Sequence, residues 1–222
     1  DALPKGARDS ASVSIHHLCG GGMRSWVVHF REYWPLDGPT LDALWASHPD
    51  EFDTMRIMGR EVAIPRWQKM FGSVHYKFSG YASLPEPMES QEQCLEFQSR
   101  VSEALGLRDE TYNGCLVNWY DGSRDHYIGP HKDDEKSMVR GMPIFSMSWG
   151  ETRRFRLKLD AKRARPPGGD LADAVESLVL ELAHGDLVVM GGDCQTTHKH
   201  EIMKLRKDDP RGRRVNLTLR AF

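Results

Sequence analysis

Arg214-Val215-Asn216-Leu217-Thr218-Leu219-Arg220 reads as a strand with two unlike faces. Side chains on an extended chain alternate with period two, so Val215, Leu217 and Leu219 share one face. Arg214, Asn216, Thr218 and Arg220 share the other. If the polar face meets solvent, the arginines are ordinary surface charges. If it lines an interior, they are buried cations that need anionic partners. Working back along the chain, residues 115–120, 144–149, 155–159, 178–182 and 187–190 read as further short strands, and residues 26–30 as an earlier one. Turn residues separate them: Asp121-Gly122, Trp149-Gly150, Pro166-Pro167-Gly168-Gly169, His184-Gly185-Asp186 and Gly191-Gly192. This spacing predicts a β-sandwich or jelly roll.

Two helical patterns come before most of these strands. Residues 40–48 place Leu41, Leu44, Trp45 and His48 on one side. Ser90-Gln91-Glu92-Gln93 has the form of a capping box, followed by Phe97, Val101, Ala104 and Leu105 at helical spacing and a stop at Gly106. The fold class is therefore mainly β with flanking helices (α+β), the helices buttressing one sheet. Residues 1–25 are polar and contain Gly20-Gly21-Gly22, which predicts a flexible N-terminal segment. Residues 26–222 carry no internal repeat or linker and read as a single domain.

With 222 residues, 39% hydrophobic and 28% charged, the chain has enough apolar material for a core. No apolar run reaches the ~20 residues of a membrane span, and no signal-peptide core is visible, so an intracellular protein without membrane contact is expected. The four cysteines lack CxxC spacing and read as reduced thiols rather than a zinc cage. A net charge of −2 gives no general attraction to nucleic acid. Charge is locally concentrated, however. Arg153-Arg154-Phe155-Arg156-Leu157-Lys158, with Lys162, Arg163 and Arg165, is basic, as is the stretch 204–214.

The chemistry lies in His131-Lys132-Asp133 and a later histidine. Residues i and i+2 of an extended segment point the same way, so His131 and Asp133 can reach one ion. Thr197-His198-Lys199-His200 offers two imidazoles of equal parity. His200, which leads directly into Ile202, is preferred as third ligand, with His198 as the alternative. Two histidines and one carboxylate that leave open positions are the ligand set of oxygen-activating non-haem Fe(II). Arg214 and Arg220 then suit the carboxylates of a diacid co-substrate.

These motifs in this order are similar to the AlkB family: Asn118-Trp119-Tyr120, His131-Lys132-Asp133-Asp134-Glu135, residues 144–150, His184-Gly185-Asp186-Leu187, His200 and residues 214–220. Ile64-Pro65-Arg66 and Tyr76-Lys77-Phe78-Ser79-Gly80 resemble its eukaryotic DNA-repair branch. The resemblance runs from about Ile64 to the C-terminus. It implies an Fe(II)- and 2-oxoglutarate-dependent dioxygenase that uses O2 to demethylate N-alkylated nucleobases such as 1-methyladenine and 3-methylcytosine, in DNA or RNA. It implies a double-stranded β-helix jelly roll over residues 112–222, with a nucleotide-recognition lid over about 50–85. By position, His131, Asp133 and His200 would hold iron. Asn118, Tyr120 and Arg214 would hold 2-oxoglutarate, with Thr218 and Arg220 near its chelating end. Tyr76 and Phe78 would line the base pocket, with Asp134 and Glu135 beside the base and Arg66 among the substrate contacts. Met58-Gly59-Arg60 aligns with a hairpin that carries an aromatic wedge in duplex-repairing members, and methionine is a softer wedge. The resemblance also implies a nucleic-acid partner, a monomer, and a nuclear or cytoplasmic location. The alternative is a hydroxylase of a protein or small molecule with the same metal site. A nucleic-acid binder without activity and a zinc hydrolase fit the residues less well.

Overall fold

The structure, a computed structural model, describes residues 12–19, 25–74, 76–78, 81–160 and 173–222. The side chains of residues 57, 76–78 and 81–83 lie outside that description. In chain order the strands are β1 Val13–Cys19, β2 Ser25–Phe30, β3 Thr54–Ile57, β4 Arg60–Ala63, β5 Trp67–Gly72, β6 Tyr76–Phe78, β7 Tyr81–Ser83, β8 Gly114–Asp121, β9 Ile128–His131, β10 Ile144–Gly150, β11 Arg153–Leu159, β12 Ser177–Leu182, β13 Asp186–Gly192, β14 His198–Ile202 and β15 Arg213–Arg220. The α-helices are α1 Gly38–Ala46, α2 Glu92–Leu105 and the single turn α3 Cys194–Thr197.

Seven strands form the major sheet in the order β1-β2-β13-β10-β15-β8-β5, and four form the minor sheet in the order β12-β11-β14-β9. Tyr120, Ile144, Val188 and Met190 of the major sheet meet Phe155, Leu157, Leu180, Leu182 and Ile202 of the minor sheet in one apolar layer. The other face of the major sheet presents Val117, Trp119, Phe145, Met147, Trp149, Val215, Leu217 and Leu219, which pack with Leu44 of α1 and Phe97 and Val101 of α2. The two faces of β15 are therefore both used. Its apolar face meets the helices, and its arginine-bearing face looks into the space between the sheets, which is the jelly roll predicted from the strand pattern.

Local chemistry explains the element ends. The Asp37 carboxylate accepts from the Thr40 N–H and Pro39 sits in the first turn, so α1 starts earlier than the apolar pattern alone predicted. His48 falls outside α1 and stacks on Trp67 with ring centres 4.0 Å apart. Gly106 closes α2 in the left-handed conformation (φ 66°). The expected capping box does not form. Gln91 is the N-cap without a side-chain bond, and the Ser90 hydroxyl donates to the Pro87 carbonyl in the preceding 3-10 turn. Ala104 is exposed rather than on the buried face of α2. Gly150 allows β10 to cross into β11 on the other sheet, because at φ 92° an added Cβ would lie 2.3 Å from the Arg213 carbonyl oxygen.

Two boundary expectations change. The flexible reading of residues 1–25 is overturned for Val13–Cys19, which is the edge strand β1 paired with β2. The Gly20-Gly21-Gly22 stretch lies outside the described residues. Within the expected lid, β3–β4 and β6–β7 are separate hairpins, but Trp67–Gly72 joins the major sheet beside β8. The alternation of β5 was hidden because both its faces are largely buried.

Three side chains tie the N-terminal part to the sheet. The Trp119 indole donates to Leu44 O (2.9 Å) and the Trp149 indole to Trp34 O (2.6 Å). His184 accepts the Gly150 N–H at Nδ1 (3.1 Å), and its Nε2 lies against the Leu36 backbone, 3.1 Å from N and 2.9 Å from O. Asp186 is a stronger tie. Its carboxylate accepts from His29 Nε2 (2.8 Å), the Glu32 N–H (3.0 Å) and the Ala183 N–H (2.9 Å). Burial favours the neutral acid, but these donors outweigh it and hold Asp186 below the usual carboxylate range. A depressed carboxylate stabilises the fold at pH values above its unfolded pKa, and that contribution disappears as pH falls through the folded value. Asp186→Asn points an amide NH2 at one or more N–H donors. It is expected to lose about 2–4 kcal/mol near pH 7, with the difference from wild type shrinking below about pH 4. Denaturant titrations at pH 7 and pH 3 check this, and an equal deficit at both would assign the loss to packing.

Candidate active site

The cavity between the sheets is walled by Asn118, Tyr120, His131, Asp133, His200, Arg214, Thr218 and Arg220. Eight of the residues singled out in the sequence thus meet in one place, although up to 102 positions separate them along the chain (Asn118 to Arg220). The sheets bring them together. β8 and β15 are neighbours, with Asn216 opposite Asn118 and Arg214 opposite Tyr120. β9 and β14 are neighbours, with His131 opposite His200.

His131, Asp133 and His200 each offer one ligand atom, and these atoms lie within 4.8 Å of one another. His131 Nε2 is 3.8 Å from Asp133 Oδ1, and His200 Nε2 is 3.6 Å from Asp133 Oδ2. His131 Nδ1 lies 2.9 Å from Gly129 O, so the proton sits on Nδ1 and the Nε2 lone pair faces the cluster. Burial holds His131 and His200 neutral, His200 down to about 3, with the neighbouring histidine and Arg220 adding to the effect for His200. Burial works the other way on Asp133, but Arg220, His200 and His131 prevail and lower it to about 2. Two neutral imidazoles and an ionised carboxylate are the protonation states a divalent cation requires.

His198 does not join them. It lies one strand repeat from His200, about 7 Å along β14. Its ring nitrogens lie 2.8 Å from Thr197 Oγ1 and 2.8 Å from Val175 O.

Supports around the cluster escaped the sequence reading. Arg220 Nη2 donates to Asp133 Oδ1 (2.8 Å), and Arg220 Nη1 is 3.8 Å from Glu135 Oε1. Gln195 Oε1 accepts the Asp133 N–H (3.0 Å), and Lys132 Nζ donates to Thr196 O (2.6 Å) and pairs with Asp160 (3.1 Å). The turn α3 thus braces the loop that carries His131 and Asp133. Polar Ser146 and Ser148 of β10 face inward. Ser148 Oγ accepts from Arg214 Nη2 (2.8 Å), and Ser146 Oγ accepts from Asn216 Nδ2 (2.9 Å). Their alternation with Phe145 and Met147 was the one signal available.

Arg214 tests whether the residues present fit an anionic co-substrate. It is 2% exposed, and its Nε and Nη1 have no hydrogen-bond partner among the described residues. No carboxylate pairs with it there, and burial, with the Arg153 charge adding to it, brings its pKa down to about 10. A buried guanidinium without a counter-charge fits a site completed by a ligand carboxylate. The ligand cluster and this cation share one cavity, which suits a metal and a diacid together.

The remaining predicted residues are distributed differently. Arg66 is buried behind Asn118, donating through Nε to Asn118 Oδ1 (2.6 Å) and through Nη2 to Gln68 Oε1 (2.8 Å). Asn118 therefore turns its amide NH2 away from Arg66. Thr218 donates to Asn216 Oδ1 (3.1 Å). Asp134 is exposed and Glu135 half-buried. Met58 stands at the tip of the β3–β4 hairpin, 99% exposed, and Arg60 beside it is exposed. Tyr76 and Phe78 lie on β6 opposite Ser83 and Tyr81, and their side chains lie outside the described residues. The basic stretch from Arg153 is less free than its sequence suggested. Arg153 is buried, Arg154 pairs with Asp209, and Arg156 donates to Glu201 (2.6 Å). Lys162, Arg163 and Arg165 lie outside the described residues. All four cysteines are free and buried.

Residues 45–220 match the family model described as the 2OG-Fe(II) oxygenase superfamily, and the chain belongs to that superfamily, within its AlkB group. It is 35% identical over 171 residues to the mouse (Mus musculus) DNA oxidative demethylase ALKBH2, covering 76% of this chain and 66% of that protein. It is 33% identical over 159 residues to alpha-ketoglutarate-dependent dioxygenase alkB homolog 3 of Rattus norvegicus, covering 71% of this chain and 50% of that one. The chain spans about half to two thirds of the length of these curated relatives. The solved structure of OsALKBH1 shares the fold, with a TM-score of 0.54 at 19% identity over 91% of this chain and 99% of that chain. The superfamily's description supplies Fe(II) and 2-oxoglutarate, and oxygen follows from the oxygenase class. No helix among the described residues is long and apolar enough to cross a membrane.

Proposed function

We propose that this chain is an Fe(II)/2-oxoglutarate-dependent dioxygenase that demethylates N-alkylated bases in nucleic acid. The observation that carries the proposal is the shared cavity in which the His131–Asp133–His200 cluster stands near a buried arginine with no carboxylate partner among the described residues. The family membership and the DNA-directed relatives support it.

His131, Asp133 and His200 would hold the iron. Arg220 donates to Asp133 Oδ1 and keeps that carboxylate ionised, the state a metal ligand needs. Arg214, next to Tyr120, takes the distal carboxylate of 2-oxoglutarate, and Asn118, oriented by Arg66, offers its amide hydrogens along the same wall. Thr218 and Arg220 border the chelating end. When bound, iron with 2-oxoglutarate and oxygen supplies the oxidising power that hydroxylates an N-methyl group, which then leaves as formaldehyde. The flipped base enters past Asp134 and Glu135 from a lid containing Tyr76 and Phe78. Unstacking it costs a few kcal/mol, partly recovered by stacking in the pocket.

Nucleic acid reaches the site along exposed cations. With Arg154 and Arg156 paired to acidic residues, Lys158, Arg206 and Lys207 carry more of the phosphate contacts than the sequence suggested. A monomer acting in the nucleus or cytoplasm is consistent with this reading.

The test is formaldehyde release and succinate formation, with Fe(II) and 2-oxoglutarate, on matched methylated single-stranded DNA, duplex DNA and RNA. Methyl-dependent formaldehyde on any of them supports the proposal and ranks the substrates. Succinate formed without dependence on nucleic acid would move the substrate to a protein or small molecule. The exposed tip adds a finer prediction. Met58→Ala is expected to lower kcat/KM about fivefold on duplex and little on single strands, because only the duplex needs a wedge to fill the vacated stack. Equal loss on both would make Met58 a general contact.

A further inference from the structure

Arg153 opens β11 on the minor sheet, yet its side chain turns inward and is 2% exposed. Its guanidinium carbon lies 6.0 Å from the centre of the Tyr120 ring, and that of Arg214 lies 5.1 Å from the same centre. Tyr120 and Arg214 belong to the cavity wall, whereas Arg153 lines a groove outside it with Arg154, Arg206 and Asp209. One ring is therefore flanked by a cation inside the cavity and a cation outside it. Arg153 Nη2 donates to His126 O (2.9 Å) and Met203 O (3.0 Å), while Nη1 has no partner among the described residues. Among those residues no carboxylate pairs with Arg153 or with Arg214.

Clasping two carbonyls explains a donor at this position but not a second permanent charge near Arg214. Burying an ion costs several kcal/mol, and a like charge nearby adds to that. An anion at the far end of the cavity would offset that cost, and a planar guanidinium also packs on an aromatic face.

We infer that Arg153 is a positioning residue for the co-substrate. It holds Tyr120 against Arg214 and raises the positive potential at the far end of the cavity, so that the site selects a 2-oxo acid bearing a second, distal carboxylate. This rests on the reading of the cavity as the 2-oxoglutarate site.

The experiment titrates 2-oxoglutarate and 2-oxobutyrate into the Mn(II)-loaded protein. Both acids share the chelating end, and only the first has a distal carboxylate. Wild type is expected to prefer 2-oxoglutarate. Arg153→Met is expected to bind 2-oxoglutarate about tenfold more weakly with 2-oxobutyrate unchanged, and Arg153→Lys, which keeps the charge, to recover most of the loss. Equal weakening for both acids makes Arg153 a structural clasp and overturns the inference, as does an unchanged ratio. Should Arg153→Met fail to fold, Arg153→Gln carries the same comparison. A wild type that does not distinguish the two acids overturns the reading of the cavity itself. A discriminating wild type with an unaffected variant overturns only the role of Arg153.

Discussion

His200→Ala is expected to cut formaldehyde release by about 1,000-fold or more and to strip the protein of metal on dialysis, while His198→Ala keeps both. The reason is geometric. His200 Nε2 faces Asp133 at 3.6 Å and His131 lies across the strand pair, so removing its ring opens one side of the cluster. The His198 ring is already engaged by Thr197 and the Val175 carbonyl, and deleting it costs stability rather than metal. His131→Ala and Asp133→Ala should behave like His200→Ala. Asp133→Ala has a second consequence, since it leaves Arg220 without its 2.8 Å carboxylate contact in a buried site. Metal content by elemental analysis, read alongside activity, checks the set. Metal lost from His198→Ala and retained in His200→Ala would reverse the choice of third ligand.

The second large effect is expected at Arg214. Arg214→Met should raise the KM for 2-oxoglutarate about 100-fold, equivalent to about 2.7 kcal/mol, because the charge-assisted bonds proposed for the distal carboxylate would be lost. Without co-substrate the same variant should be as stable as wild type or more so. It exchanges a buried guanidinium, two of whose nitrogens have no hydrogen-bond partner among the described residues, for an apolar chain. A thermal melt with and without 2-oxoglutarate separates the two effects. Wild type should gain Tm on addition of 2-oxoglutarate with Mn(II), and the variant should gain little at the same concentration. A large loss of Tm in the variant without ligand would show that Arg214 holds the fold together instead.

Much of the architecture was legible because it is written in local alternation. Six strand cores of the second half were visible, since each alternates or forms a short apolar run between turn residues. The strands that were missed lack that signal. Ile128–His131 contains Gly129 and Pro130, His198–Ile202 is polar, and Val13–Cys19 carries two histidines. These segments become strands by pairing with neighbours that are distant in sequence, and no local propensity marks them. The capping box at Ser90 failed for a related reason. The Ser90 hydroxyl found the Pro87 carbonyl in a preceding turn that the motif does not encode.

By itself the sequence determined the residue types of the site and their order: a His-x-Asp pair, a later histidine, and two arginines of equal parity on the last strand. Strand parity is a covalent property of an extended chain, so it could be read without tertiary information. Only the tertiary structure decided which face of that strand is inside, which of His198 and His200 meets Asp133, and which basic residues are already paired. Those outcomes depend on what lies across a sheet or behind a ring. Leu44 and Phe97 cover one face of the major sheet, so Arg214 and Arg220 are turned inward. Asp209 and Glu201 take up Arg154 and Arg156, so a stretch that looked free to bind phosphate is largely occupied. Contacts between residues far apart in the chain set the environment of each charge, and the environment, more than the residue type, fixes what that charge can do.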